Sequence, residues 1–232
     1  MCGNATLFSG FNENQRESGF CWRCGSFNRQ RQIARVVRVA FGFPDQGRLR
    51  FADGVAIYNV ESRGAIHRAL RSNPGYTSSE FFGPEHKSGT YVSGIRHEDL
   101  QRLSFADTSF DLVVSSDVLE HLPDPYAAHR EIFRVLKPNA RHIFTVPYDP
   151  GAPKDDIRAQ LVGTTIEYRA QQLYHGDPLH PDQGILVWRI FGREMLSVLR
   201  EVGFHVTTHE LNDLTCGIIG EGATVFEAVK PR

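Results

Sequence analysis

The stretch FDLVVSSDVLEHLPDPYAAHREIFRVLKPNARHIFTVPY (Phe110–Tyr148) reads as a strand, a helix and a second strand. Its opening residues FDLVV are apolar apart from Asp111, as suits a strand covered on both faces. Asp124 is placed to cap the helix, and Pro125 suits the first helical position, where a missing N–H is no loss. Ala128, Ile132, Val135 and Leu136 then form a buried stripe. Pro138 stops the helix, and Asn139 tolerates the left-handed turn after it. Strands alternating with helices imply a parallel sheet with helices on both faces.

The same alternation extends outward from this block. Upstream, QRQIARVVRVAFGF places Ile33, Val36, Val37 and Ala40 at helical spacing. GVAIYNV is a short β-branched run, and GAIHRAL starts a helix directly after it. GYTSSEFFG and GTYVSGI are two further strand candidates. Downstream, FGREMLSVLREVGF carries Met195, Leu196, Leu199 and Val202 on one helical face and ends at Gly203. HVTTHEL and ATVFEAV close the pattern. The expectation is an α/β fold with a doubly wound, mostly parallel, seven-stranded sheet. Ligands of such sheets bind at the carboxyl ends of the strands, near the point where strand order reverses.

Composition narrows the class. The chain has 232 residues, 41% of them hydrophobic, and a formal net charge of −1. That balance argues against a nucleic-acid binder or a protein drawn to anionic membranes, both of which need a basic excess. Polar residues interrupt every apolar run before it reaches membrane-spanning length. The N-terminus lacks the apolar core of a signal peptide, and four cysteines do not suggest a disulfide scaffold. The expected location is cytoplasmic. Residues 1–29 form a small polar appendage holding three of the four cysteines. Residues 30–232 form the main domain, with an insert over about 151–187.

The run from Glu98 to Pro147 resembles the central block of class I S-adenosylmethionine-dependent methyltransferases, and is most similar to the type 11 group that methylates small molecules and quinones. The residues that carry the resemblance are the acidic-Leu pair Asp99–Leu100, Phe110–Asp111, Leu119–Glu120–His121 and Val135–Leu136–Lys137–Pro138. The resemblance implies a Rossmann-like methyltransferase fold and S-adenosylmethionine as cofactor. It implies that Asp99 accepts a hydrogen bond from the adenine amino group and that the Leu100 amide faces the ring. It also implies that Ser115, Ser116 and Asp117 lie where donor meets acceptor, although small polar residues at a strand end often only cap the next helix.

The chain departs from the family pattern in AIYNVESRGAIHRAL (Ala56–Leu70). An acidic residue and three glycines are usual there, and only Gly64 is present. Counting back, Ser62 and Val60 stand at the other glycine positions and Tyr58 at the acid, with Glu61 a possible neighbouring substitute. Glycine lets the backbone approach a ligand closely, and the following helix N-terminus favours anionic groups. The cofactor's carboxylate and ribose are less demanding than a pyrophosphate, so Ser62 and Gly64 can suffice; a strand–turn–helix with no ligand is the competing reading. Glu80, at the end of the second strand, suits a ribose diol because both carboxylate oxygens accept hydrogen bonds.

In DVLEH, the residues Asp117, Glu120 and His121 could share a helical face. They admit a divalent-cation site, a general base at His121 oriented by Asp117, or simply a packed helix start. CWRCG (Cys21–Gly25) with Cys2 resembles part of a zinc-ribbon knuckle. Cys2, Cys21 and Cys24 supply three thiolates where a structural zinc takes four ligands. QQLYHGDPLHPDQG, with Tyr174, His175, Asp177 and His180, falls where this fold often covers the acceptor pocket; a polar surface loop is the alternative. The function expected is methylation of a small-molecule acceptor at oxygen. The rival is a methyltransferase-fold scaffold that has lost catalysis.

Overall fold

The computed structural model describes residues 6–176, 182–219 and 223–232. Six strands form the central sheet: β1 (Ile57–Asn59), β2 (Tyr76–Ser78), β3 (Phe110–Ser116), β4 (Leu136–Thr145), β5 (His205–His209) and β6 (Val225–Val229). Their order across the sheet is β5-β6-β4-β3-β1-β2. The pairs β1/β2, β1/β3 and β3/β4 are parallel, while β6 runs antiparallel to both β4 and β5. This is the expected Rossmann-like α/β architecture. Strand order reverses between β1 and β3, so the carboxyl ends of those two strands define the ligand edge.

One expected strand is missing from the sheet. GTYVSGI folds back on itself, pairing Tyr91–Val92 with Ile95–Arg96. Ser93 and Gly94 both take positive φ at the tip, so the run turns where an extended strand was expected. What remains of a seventh strand is a single parallel bridge from Glu80 to His97.

Helices α1 (Asn28–Ala40), α2 (Gly64–Leu70), α3 (Pro125–Val135) and α4 (Glu194–Val202) cover the sheet. Asp124 caps α3 by accepting the Ala127 N–H at 2.9 Å, with Pro125 at the first turn. Asn139 takes the left-handed conformation and lies in an irregularity where β4 loses register with β3. Gly203 ends α4 at φ 116°, where an added Cβ would meet the Phe133 ring at 2.9 Å. One core packs α3 and α4 against β3, β4 and β6 through Val113, Ile132, Phe144, Met195, Leu199 and Phe226. The other packs α1 and α2 on the opposite face through Ile33, Val37, Ile57, Ile66, Leu112 and Ile143. Neighbouring residues on β3 thus serve different cores, which explains the apolar Leu112–Val114 run in its sequence. Among the described residues, no helix is long and apolar enough to cross a membrane.

The appendage is a small antiparallel hairpin, Phe8–Ser9 with Phe20–Cys21, leading into α1. α1 begins at Asn28, two residues before the expected boundary. It carries an unusual load of buried arginine: Arg29, Arg31 and Arg38. Arg31 donates to the carbonyls of Ser26 and Gly217, and Arg38 to that of Pro44. These long side chains tether the connecting loops to the helix.

Candidate active site at the sheet's carboxyl edge

The turn after β1 is held from the neighbouring strand. Glu80 Oε1 accepts the Ser62 N–H and the Ser62 hydroxyl, both at 2.8 Å. The Val60 N–H reaches across to the Val114 carbonyl. Gly64 opens α2 at φ 78°, and a Cβ there would meet only the Gln30 side chain at 3.9 Å. Its space is therefore open toward the edge. Tyr58, at the position of the usual acid, is fully buried, with its hydroxyl 2.7 Å from Ser79 Oγ, and so faces the core. Glu61 follows at the rim, with its pKa pushed up to about 8. Burial is the main cause; Arg29 opposes it, while Glu80, Asp117 and Glu120 add to it.

Asp99 lies two residues beyond the bridge that joins His97 to Glu80, so both carboxylates belong to the same edge. Asp99 Oδ1 accepts from the Gln101 N–H at 2.9 Å, and the Asp99 N–H donates to Ser88 Oγ at 3.0 Å. Leu100 is buried. Upstream of it, Glu98 is buried with Arg96 and Ser104, forming a closed network beneath the loop.

The turn after β3 is built differently. Ser115 does not reach the edge: its hydroxyl is buried 2.9 Å from His142 Nε2. Alternation along the strand brings Ser116 to the rim instead, where it accepts from Arg29. Asp117 takes φ 57°, a left-handed conformation uncommon for a residue other than glycine. Both its carboxylate oxygens bond Arg16, one accepts from the Thr145 hydroxyl at 2.9 Å, and Arg29 approaches to 3.3 Å. Burial works against its charge, but Arg29 and Arg16 outweigh it and hold the carboxyl far below the usual range. Glu17 completes the cluster, receiving Arg29 at 2.6 Å.

This arrangement corrects the expected Asp117–His121 pairing. The left-handed residue and a short 3-10 turn, Leu119–His121, replace the helix that would have aligned them. His121 is oriented by the Leu186 carbonyl, 2.8 Å from its Nδ1, and lies edge-to-face with His175 at 5.0 Å. Glu120 is fully buried beside both rings. Arg16 and Arg29 are the functional residues that sequence reading missed. They stand far from Asp117 along the chain, and no local pattern marks them.

Cys21 and Cys24 flank a tight turn closed by the Gly25 N–H to the Cys21 carbonyl at 2.9 Å. Burial raises the Cys21 thiol, but the N–H groups of Cys24 and Arg23 bring it down to about 7. Cys2, Asp177 and His180 lie outside the described residues. Two thiols do not complete a four-ligand structural site, so the expected zinc ribbon is not established among the described residues.

Residues 77–144 match the methyltransferase domain family model. That segment contains Glu80, Asp99 and the turn after β3. Sterol 24-C-methyltransferase erg6 of Aspergillus fumigatus is 31% identical over 118 residues, covering 49% of this chain and 28% of its own length. The chain spans less than a third of each curated relative it matches. Among solved structures, the [4+2]-cyclase SpnF superposes with a TM-score of 0.50 at 16% identity, covering 99% of this chain and 88% of that one. A 1,6-didemethyltoxoflavin-N1-methyltransferase of Burkholderia thailandensis, with 1,6-didemethyltoxoflavin and S-adenosylhomocysteine bound, gives 0.50 at 15% identity, covering 88% and 79%. These likenesses define the fold. A shared fold does not itself fix the reaction, as a cyclase beside a methyltransferase makes plain.

Proposed function

We propose that the protein is an S-adenosylmethionine-dependent methyltransferase that acts on a small molecule at oxygen. The observation that carries this reading is Glu80, a strand-end carboxylate poised over the open turn at Ser62–Gly64. The residues at the edge fit the cofactor. Glu80 offers acceptors to a ribose diol, Asp99 and the Leu100 amide stand where the adenine would lie, and Ser62, Gly64 and Glu61 line the turn. Arg29 at Ser116 brings a guanidinium suited to the cofactor's own carboxylate.

When bound, the cofactor supplies an activated methyl group on a sulfonium. The chain's part is to hold the acceptor in line and exclude water. His121 is the candidate to take an acceptor hydroxyl proton at Nε2, because its Nδ1 is turned to the Leu186 carbonyl. Asp117 acts at a distance, holding Arg16 and Arg29 at the rim. Oxygen is favoured over carbon because an imidazole and a carboxylate, His121 and Glu120, face the same turn. The Cys21–Cys24 turn supports a zinc site shared with Cys2, which metal analysis of Cys21→Ser would test.

One observation favours the scaffold reading: the arginine pairs already occupy the turn after β3, while the turn after β1 has one glycine where three are usual. Calorimetry with S-adenosylhomocysteine separates the two. Micromolar binding that weakens at least about tenfold in Glu80→Ala supports the enzyme; no binding by the wild-type chain refutes it.

A further inference from the structure

The short turn after β3 and the insert meet at three side chains, of which Glu120 is fully buried and His121 and His175 are partly so. Glu120, His121 and His175 each present one ligand atom, and these atoms lie within 4.8 Å of one another. The Glu120 side chain is 0% exposed, and neither carboxylate oxygen has a hydrogen-bond partner among the described residues. A carboxylate taken from water without a donor is strongly unfavourable. Something positive belongs there.

The spacing identifies what. His121 Nε2 is 3.7 Å and His175 Nδ1 is 3.5 Å from Glu120 Oε1. Those separations are too long for good hydrogen bonds. They match two ligands on one ion, since bonds of about 2.1 Å at tetrahedral angles set ligand atoms about 3.4 Å apart. The His121 tautomer agrees as well. Its Nδ1, 2.8 Å from the Leu186 carbonyl, carries the proton, which leaves the Nε2 lone pair directed toward Glu120. Ligating histidines are typically fixed by such a second bond. Asp117 takes no part, because Arg16, Arg29 and Thr145 already engage its oxygens.

We propose that Glu120, His121 and His175 bind a divalent first-row transition metal, of which zinc is the prime example. Two imidazoles and one carboxylate suit such an ion better than magnesium or calcium, which prefer all-oxygen shells. Two ligands come from the turn after β3, and the third comes from the strand Tyr174–His175, which pairs with Ile185–Leu186. The same carbonyl that fixes His121, Leu186, belongs to that hairpin. The ion therefore clamps the insert onto the carboxyl edge of the sheet, whether or not the chain transfers methyl groups. With Nε2 bound to the ion, His121 has no free lone pair to act as a base, so the metal site stands in place of that role.

The test uses the full chain, stripped with a chelator and titrated with Co2+ and then Zn2+. Thiolate ligation at the cysteine turn gives near-ultraviolet charge-transfer bands, whereas nitrogen–oxygen ligation gives visible d–d bands alone. The expected result is about one equivalent of Co2+ with d–d bands, displaced by Zn2+, and a rise in the unfolding temperature on binding. Glu120→Gln and His175→Ala should each weaken that binding by about tenfold or more. His175→Ala alters a partly exposed residue of the insert, so it remains informative if Glu120→Gln fails to fold. The proposal is overturned if no nitrogen–oxygen Co2+ spectrum forms, or if His175→Ala binds as tightly as the parent.

Discussion

The turns after β1 and after β3 sit side by side at one sheet edge, yet they are secured by opposite means. Ser62 is held by hydrogen bonds to Glu80 that a ligand's hydroxyls could take over, each worth about 1 kcal/mol net. Asp117 is held by charge, from two guanidinium groups carried by the N-terminal segment and α1. Losing one member of such a buried group costs about 3–5 kcal/mol. A ligand can therefore rearrange the first turn at little cost, while the second acts as a fixed wall. The contrast makes the first turn adaptable and the second rigid.

The sharpest way to break this contrast is Asp117→Asn. Asparagine tolerates the left-handed backbone, so the substitution removes charge without adding strain. Arg16 and Arg29 then keep only Glu17 as a shared counter-ion, and chemical denaturation should show a loss of about 3 kcal/mol. A change below about 1 kcal/mol would mean that the wall is not electrostatic.

Two glycines come next. An added Cβ at Gly75 would meet the Val55 carbonyl oxygen at 2.1 Å, whereas at Gly64 it meets almost nothing. Gly75→Ala should destabilise by about 2 kcal/mol through overpacking. Gly64→Ala should cost only about 1 kcal/mol, from its positive φ. Equal losses would show that the turn after β1 is more crowded than its geometry allows.

On the ligand side, replacing Glu80 and Asp99 together by alanine should lower S-adenosylhomocysteine affinity by about tenfold or more, with a stability loss of about 2 kcal/mol from the bonds to Ser62. Unaltered affinity would remove the ligand edge from β1 and β2.

The pH dependence gives a further handle. Glu61 titrates near 8 in the folded chain, above its ordinary value of 4.5. The folded state thus holds a proton that the unfolded chain releases, so this group's contribution is full below pH 4.5 and is lost as pH rises through 8. Glu61→Gln should flatten the fall in stability over that window, by no more than about 1 kcal/mol per pH unit. A wild-type profile that rises with pH there, with the same slope in the variant, would contradict the assignment.

Much of the fold was legible because it follows local rules. The apolar Leu112–Val114 run of β3 and the Asp124–Pro125 start each encode their structure within a few residues, whereas α3 ends at Val135, before Pro138, and Asn139 takes its left-handed conformation within β4. GTYVSGI misled because its apolar residues are as compatible with a tight hairpin as with a strand, and Ser93–Gly94 decided the matter. At the site, Glu80 and Asp99 could be placed by their distance from recognisable strands. Ser115 was assigned to the edge, but strand alternation turns it to His142. Arg16, Arg29 and the burial of Glu120 were illegible for a different reason. They depend on which distant segments come to rest at the edge, and sequence spacing carries no record of that.

The position of β6 has one more implication. It lies between β4 and β5, although it follows both in the chain. Until residues 225–229 leave the ribosome, two strands wait with bare backbone rims, exposed to pairing with other molecules. Nascent chains of this protein should therefore lean on holding chaperones until β6 emerges, and termination before residue 225 should yield insoluble product.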